Sequence, residues 1–153
     1  MEIGSEMPDV TVTGDGDKTL RLRDLPLPAV VYFYPRADTP GCTREASDFT
    51  ALMDEFAAAG TSVLGISRDA PAAHAKFAAK HRLTVPLASD GDGSVCEAMG
   101  VWGEKQLYGR SYMGVERATF LFGANGRLAR AWRKVRVPGH AAAVLAEART
   151  IGG

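Results

Sequence analysis

The chain has 153 residues, 46% of them apolar, and 18 Lys and Arg balance 18 Asp and Glu to a formal net charge of zero. That size suits a single domain spanning 1–153 with one substantial core and leaves no room for two. The even charge excludes a global field that would draw in nucleic acid or an anionic membrane, and the absence of any run of about 18 apolar residues excludes a transmembrane helix.

Strand-like and helix-like segments alternate along the chain, the pattern of an α/β domain with a largely parallel central sheet. Val10–Thr13 and Thr19–Leu22 flank Gly14-Asp15-Gly16-Asp17 and predict an N-terminal hairpin. Ala29–Tyr34 is a continuous apolar run, as expected of a central strand covered on both faces. Thr43–Ala58 places Ala46, Phe49, Leu52, Met53 and Phe56 on one helical face and ends at Gly60. Val63–Ser67 predicts a strand, Pro71–Lys80 a short Ala-rich helix, and Val85–Ala88 a return to the sheet. After the turn Ser89–Gly93, a brief helix over Ser94–Met99 carries Cys96. Trp102, Tyr108, Tyr112 and Met113 fall in a Gly-punctuated stretch read as a loop, one that walls a site or a partner surface or else simply packs. Ala118–Phe122 and Leu128–Trp132 form a second hairpin across Gly123-Ala124-Asn125-Gly126, and Gly139–Arg149 closes the chain with a helix.

The chemistry concentrates where the central strand runs into its helix. Thr39 is a favoured N-cap and Pro40 suits the first helical position, where no amide hydrogen is needed, so Cys42 falls on the first turn at N3. Free amides and the positive end of the helix dipole face that position and stabilise S⁻ relative to SH. Ligand sites of open α/β sheets lie beyond the carboxyl ends of strands, which is where Cys42 sits. Thr39 is three residues from Cys42, so hydroxyl and sulfur share a face, and the hydroxyl is expected to act in catalysis by donating to or accepting from sulfur and peroxide; Pro35 cannot donate a hydrogen bond and can shield the sulfur from water. The amides of Gly41 and Cys42 point out from the helix start as donors.

The run Pro35-x-x-x-Thr39-Pro40-Gly41-Cys42-Thr43-x-Glu45 resembles the active-site signature of peroxiredoxins, and among them the peroxiredoxin Q, or bacterioferritin comigratory protein, group. Gly4–Asp9 is similar to that group's opening, and Glu116-Arg117-Ala118-Thr119-Phe120-Leu121 to its later arginine-bearing strand, so the likeness covers nearly the whole chain. It implies a thioredoxin-like α/β fold with a central mixed sheet flanked by helices and an N-terminal hairpin extension. It also implies a thiol peroxidase that reduces hydrogen peroxide or organic hydroperoxides without a cofactor, using thioredoxin or a glutaredoxin-type dithiol. By the same resemblance Arg117 is the arginine that contacts the thiolate and polarises the peroxide; a guanidinium stays cationic and offers five donors, which suits that role. Glu45 either holds this arginine or stabilises the helix start as a first-turn acid.

One position departs from the group's pattern. Many members carry a second, resolving cysteine five residues after the first, where this chain has Ser47; others carry it on the following helix, where this chain has Ala72, Ala75, Ala78 and Ala79. Cys96 is the sole internal alternative, and beside Val95 and Met99 it reads more readily as a small buried residue. The preferred reading is a one-cysteine cycle through sulfenic acid, resolved by an external thiol; the rival is a redox-sensing module of the same fold that reacts slowly with peroxide.

The remaining features have plainer readings. Met1-Glu2-Ile3-Gly4 lacks the basic and apolar regions of a secretory signal, and the two cysteines match neither a disulfide scaffold nor a C-x-x-C pair, so a cytoplasmic protein with free thiols is expected. His74, His81 and His140 have no metal-ligand spacing with either cysteine. Arg127, Arg130, Arg133, Lys134 and Arg136 read as the solvated face of a hairpin strand and not as a nucleic-acid surface. Neither nucleic acid nor membrane is expected as a partner, and the chain is expected to be a monomer or a weak homodimer.

Overall fold

The structure is a computed structural model that describes residues 1–152, with the backbone alone for Leu107 and Gly152. Nine strands and five α-helices alternate along it: β1 (Thr11–Thr13), β2 (Thr19–Arg21), β3 (Ala29–Phe33), α1 (Pro40–Ala51), α2 (Met53–Ala58), β4 (Ser62–Ser67), α3 (Pro71–His81), β5 (Leu87–Ser89), α4 (Ser94–Ala98), β6 (Trp102–Leu107), β7 (Arg110–Val115), β8 (Ala118–Phe122), β9 (Leu128–Trp132) and α5 (His140–Gly152).

Seven strands form one sheet in the order β2-β1-β5-β4-β3-β8-β9. Only the pairings of β3 with β4 and β4 with β5 are parallel; the others are antiparallel, so the sheet is mixed and less parallel than the alternation of elements suggests. The N-terminal hairpin extends this sheet through a single register pair, Thr13 with Ser89. Strand β3 lies inside the sheet, and all five of its residues are buried, as its unbroken apolar run requires.

The period-two alternation of β3 sorts the core into two layers. Val30, Tyr32 and Tyr34 pack with Cys42, Phe49, Phe56, Phe77 and Leu145 from the helices on one face. Val31 and Phe33 pack with Ile66, Phe120, Val95 and Cys96 on the other. Tyr32 fits only because β4 has glycine opposite it: a Cβ at Gly65, its register partner, would lie 2.5 Å from the Tyr32 ring carbon Cζ.

Three elements differ from expectation. The helix expected over Thr43–Ala58 is divided at Leu52 (φ −104°, ψ 3°), yet Leu52, Met53 and Phe56 still reach the same core layer, so the apolar period runs unbroken across the kink. The strand expected over Val85–Ala88 begins at Leu87, because Pro86 has no amide to donate and the Val85 amide goes to Thr50 Oγ1 at 3.3 Å. The expected loop around Tyr108 is the hairpin β6–β7, closed by Tyr108 and Gly109 at φ +50° and +76°, a two-residue turn with both central residues left-handed. A tyrosine at the first turn position hides that signal, since Asn or Asp is the usual occupant.

Candidate active site

The end of β3 delivers the chain into a six-residue connection, Tyr34–Thr39, and then into α1. Thr39 takes the extended N-cap backbone (φ −89°, ψ 154°), with Pro40 at N1 and Cys42 at N3. The first intrahelical bond runs from the Thr43 amide to the Thr39 carbonyl at 2.8 Å, so the Gly41 and Cys42 amides precede the helical ladder. The Thr39 hydroxyl makes no cap bond; it donates to the Arg36 carbonyl at 2.9 Å and tightens the loop instead.

Strand β8 runs antiparallel to β3, pairing Ala118 with Phe33 and Thr119 with Tyr32, so β8 begins where β3 ends. Arg117, one residue before β8, shares the face of Thr119 and Leu121 and therefore emerges beside the start of α1. Its Nη2 donates to Cys42 Sγ at 3.4 Å and its Nη1 to Glu45 Oε1 at 2.7 Å. Cys42 and Glu45 stand three residues apart on one helical face, which is why one planar guanidinium reaches both. The backbone around Arg117 is fixed from two sides. The Val135 amide donates to the Arg117 carbonyl at 3.0 Å, and Arg133 holds the Glu116 carboxylate at 2.6 and 3.1 Å.

The cluster is nearly dry. Cys42 is 2% exposed and Glu45 1%, while Glu45 Oε2 is buried without a hydrogen-bond partner among the described residues. Burial pushes the Glu45 carboxyl up to about pKa 7 against the pull of the Arg117 cation. For Arg117 burial acts against its charge, but Glu45 and Cys42 beside it reverse the balance and raise its pKa, so it stays cationic. Gly41 leaves room for the guanidinium: a Cβ there would stand 3.1 Å from Arg117 Nη2.

The expected residues are therefore distributed as follows. Cys42, Arg117, Glu45 and Gly41 are in direct juxtaposition, and Thr39 is one turn away with its hydroxyl on the loop backbone. Pro35 is half-buried in the loop. Cys96 lies across the sheet from Cys42, in the opposite core layer, and both cysteines are free. Burial and then the neighbouring Asp90 push the Cys96 thiol strongly up, the reverse of what a reactive thiol needs.

Of the aromatic stretch, Trp102 packs under the Arg68 guanidinium at 4.7 Å, and Tyr108, Tyr112 and Met113 are exposed. The basic run is largely engaged: Arg127 with Glu6, Arg130 with Glu147, and Arg133 with Glu116. Among the described residues no group of three His, Cys, Asp or Glu is placed to hold a metal ion, and no helix is long and apolar enough to cross a membrane.

Sequence reasoning misses several residues around the site. Asp38 holds a left-handed backbone (φ +61°) and accepts from Lys80 and His81; Asp69 accepts from the Ala37 amide. Lys105 reaches from β6 to the Val115 carbonyl at 2.7 Å, two residues before Arg117. Apart from the tolerance of Asp for left-handed backbone, no local pattern marks them, because their partners lie on other elements.

The AhpC/TSA family model matches residues 3–131. A peroxiredoxin Bcp of Xanthomonas campestris is 52% identical over 117 residues, covering 76% of this chain and 73% of that protein. One of Bacillus subtilis is 42% identical over 146 residues, covering 95% and 93%. A solved structure of the Xanthomonas campestris bacterioferritin comigratory protein has a TM-score of 0.91 at 42% identity, over 99% of this chain and 100% of that one. With a helix-start cysteine under an arginine on a thioredoxin-like mixed sheet, and likenesses running the length of the chain, the protein belongs to the AhpC/TSA family of peroxiredoxins, within its peroxiredoxin Q/Bcp group.

Proposed function

We propose that Cys42 is the nucleophile of this thiol-dependent peroxidase and that Arg117 is its principal electrostatic partner. The observation that carries the assignment is the 3.4 Å contact of Arg117 Nη2 with Cys42 Sγ at the first turn of α1. The thiolate attacks one peroxide oxygen, the O–O bond breaks, and the other oxygen leaves as an alkoxide or hydroxide that takes up a proton. Sulfur is oxidised to sulfenic acid and the peroxide is reduced to alcohol or water. Arg117 and the Gly41 and Cys42 amides meet the charge that grows on the leaving oxygen, Glu45 orients the guanidinium, Thr39 holds the loop, and Pro35 shields the sulfur.

Resolution comes from outside. One thiol of an external dithiol attacks the sulfenic sulfur and expels water; the second then attacks the mixed disulfide, leaving as a disulfide and returning Cys42 as thiol. The burial of Cys96 on the far side of the sheet supports this one-cysteine cycle. Thioredoxin or a glutaredoxin-type protein is the proposed reductant, in the reducing cytoplasm where two free thiols persist. Alkyl hydroperoxides are proposed beside hydrogen peroxide, because the Xanthomonas campestris relative is known for alkyl peroxide reduction.

Peroxide consumption with dithiothreitol as donor tests the assignment. Cys42→Ser is expected to abolish turnover, Arg117→Met to lower the peroxide rate constant by about 10²–10³-fold, and Cys96→Ser to leave turnover intact. Turnover lost in Cys96→Ser with its fold retained removes the one-cysteine cycle. A wild-type rate no faster than that of an ordinary thiolate favours the redox-sensing module.

A further inference from the structure

Arg117 stands in a two-residue gap, Glu116-Arg117, between β7 and β8, strands that belong to different sheets. From Ala118 onward the main sheet fixes the backbone through its pairing with β3. On the other side, Arg117 inherits the position of hairpin β6–β7. Two contacts anchor the hairpin at that end: the Glu116 amide donates to the Val101 carbonyl at 2.7 Å, and Lys105 Nζ donates to the Val115 carbonyl at 2.7 Å. Lys105 is in register with Tyr112, so its side chain must run three residues along β7 to reach Val115. The way is open because the next register pair on that face is Gly103 with Gly114, which carries no side chains. A Cβ at Gly114 would lie 2.9 Å from Lys105 Cδ. Gly114 is not left-handed, so its backbone itself accepts alanine; what requires glycine there is the lysine stem lying across it. Lys105 is half-buried, and burial lowers its pKa; the Arg117 cation lowers it further, while Cys42 and Glu116 act in the opposite direction. The ammonium therefore lies within the field of the guanidinium and sulfur on which the site is built.

We propose that Lys105 is a positioning residue of the peroxidase: clamped across Gly114 onto the Val115 carbonyl, it sets how the chain enters Arg117 and so where the guanidinium stands over Cys42. It acts through Val115 and Arg117 and touches no reacting atom. The clamp is a charge-assisted hydrogen bond made two residues before the arginine it serves. The contact it protects is a single nitrogen at 3.4 Å from sulfur, which a small backbone shift at Val115 would lengthen or misdirect. Hairpin β6–β7 thereby gains a part in the reaction, although its exposed side chains Tyr108, Tyr112 and Met113 point to none. The inference rests on the action of Arg117 at Cys42, and its test separates the two.

Double-variant cycles test the route. Lys105→Met removes the ammonium and keeps most of the stem, whereas Gly114→Ala keeps the ammonium and displaces the stem. Each is expected to slow oxidation of Cys42 by hydrogen peroxide about tenfold, below the roughly 10²-fold that a full misplacement of about 1 Å can cost. Alkylation of Cys42 by iodoacetamide, which needs no donor at a leaving oxygen, should change far less, and thermal unfolding should keep the wild-type midpoint. Lys105→Arg, which keeps a cation within reach of the carbonyl, should recover most of the rate. Joined to Lys105→Met, Gly114→Ala should add no further loss, and in an Arg117→Met background Lys105→Met should have no effect. An undiminished oxidation rate in Lys105→Met overturns the clamp. So do equal falls in oxidation and alkylation, a loss that Lys105→Arg leaves in full, or losses that simply add to that of Arg117→Met. Arg117→Met with the full wild-type rate refutes instead the role of Arg117 at the sulfur.

Discussion

A side chain at position 41 would press on the guanidinium that contacts the sulfur, with a Cβ 3.1 Å from Arg117 Nη2. The helix itself has no objection, because Gly41 is at N2 and alanine is the better helix former. Gly41→Ala is therefore expected to leave thermal stability unchanged or slightly raised and to lower the peroxide rate constant about tenfold by displacing Arg117. Equal activity in the two proteins would show that the guanidinium has room to spare. Glu45 and His140 carry opposite pH signatures. Glu45 has a folded pKa raised from 4.5 to about 7, so its contribution is fully present below pH 4.5 and is lost as pH rises toward 7, about 3 kcal/mol at most. His140, buried against Thr119, is lowered from 6.5 to about 4 by burial and then by Arg117, so its contribution is present above pH 6.5 and is lost as pH falls toward 4. The two nearly cancel in the wild type, so the variants must separate them: relative to Glu45→Gln, the wild type should lose stability in urea between pH 4.5 and 7. No pH dependence in that difference would mean that Arg117 keeps Glu45 ionised throughout.

At the scale of elements, β4 and β3 meet through one close fit, Tyr32 over Gly65. Gly65→Ala inserts a carbon 2.5 Å from a buried ring stacked on Phe49 at 4.6 Å, and overpacking of this kind costs about 1–3 kcal/mol. Urea unfolding should report a loss in that range, and a change below about 0.5 kcal/mol would mean that the ring moves freely. The strand-to-helix step was readable because Thr39, Pro40 and the apolar run before them are local signals with a known geometry. The placement of Arg117 beside Cys42 was not. It follows from β8 pairing antiparallel with β3, a long-range register that no local period encodes, and the expectation came from family likeness alone. Hairpin β6–β7 was hidden by its Tyr-Gly turn, and the division of α1 from α2 by an apolar period that survives the kink. The contacts that hold Ala37 and Asp38 join residues 32 to 43 positions apart, beyond the reach of any spacing argument.

Across the whole molecule, the sheet separates the two thiols. Cys42 belongs to the layer under α1, α3 and α5, and Cys96 to the layer under α4, with β3 and β4 between them. An internal disulfide would need the core to be taken apart, so oxidation should stop at a single sulfur until another molecule supplies a thiol. Intact mass of the reduced protein after one equivalent of peroxide, in wild type and Cys42→Ser, tests this most directly. The expected result is a gain of one oxygen located on Cys42 in the wild type and no change in the variant. An unmodified wild type, or a loss of two hydrogens with Cys42 joined to Cys96, would contradict it.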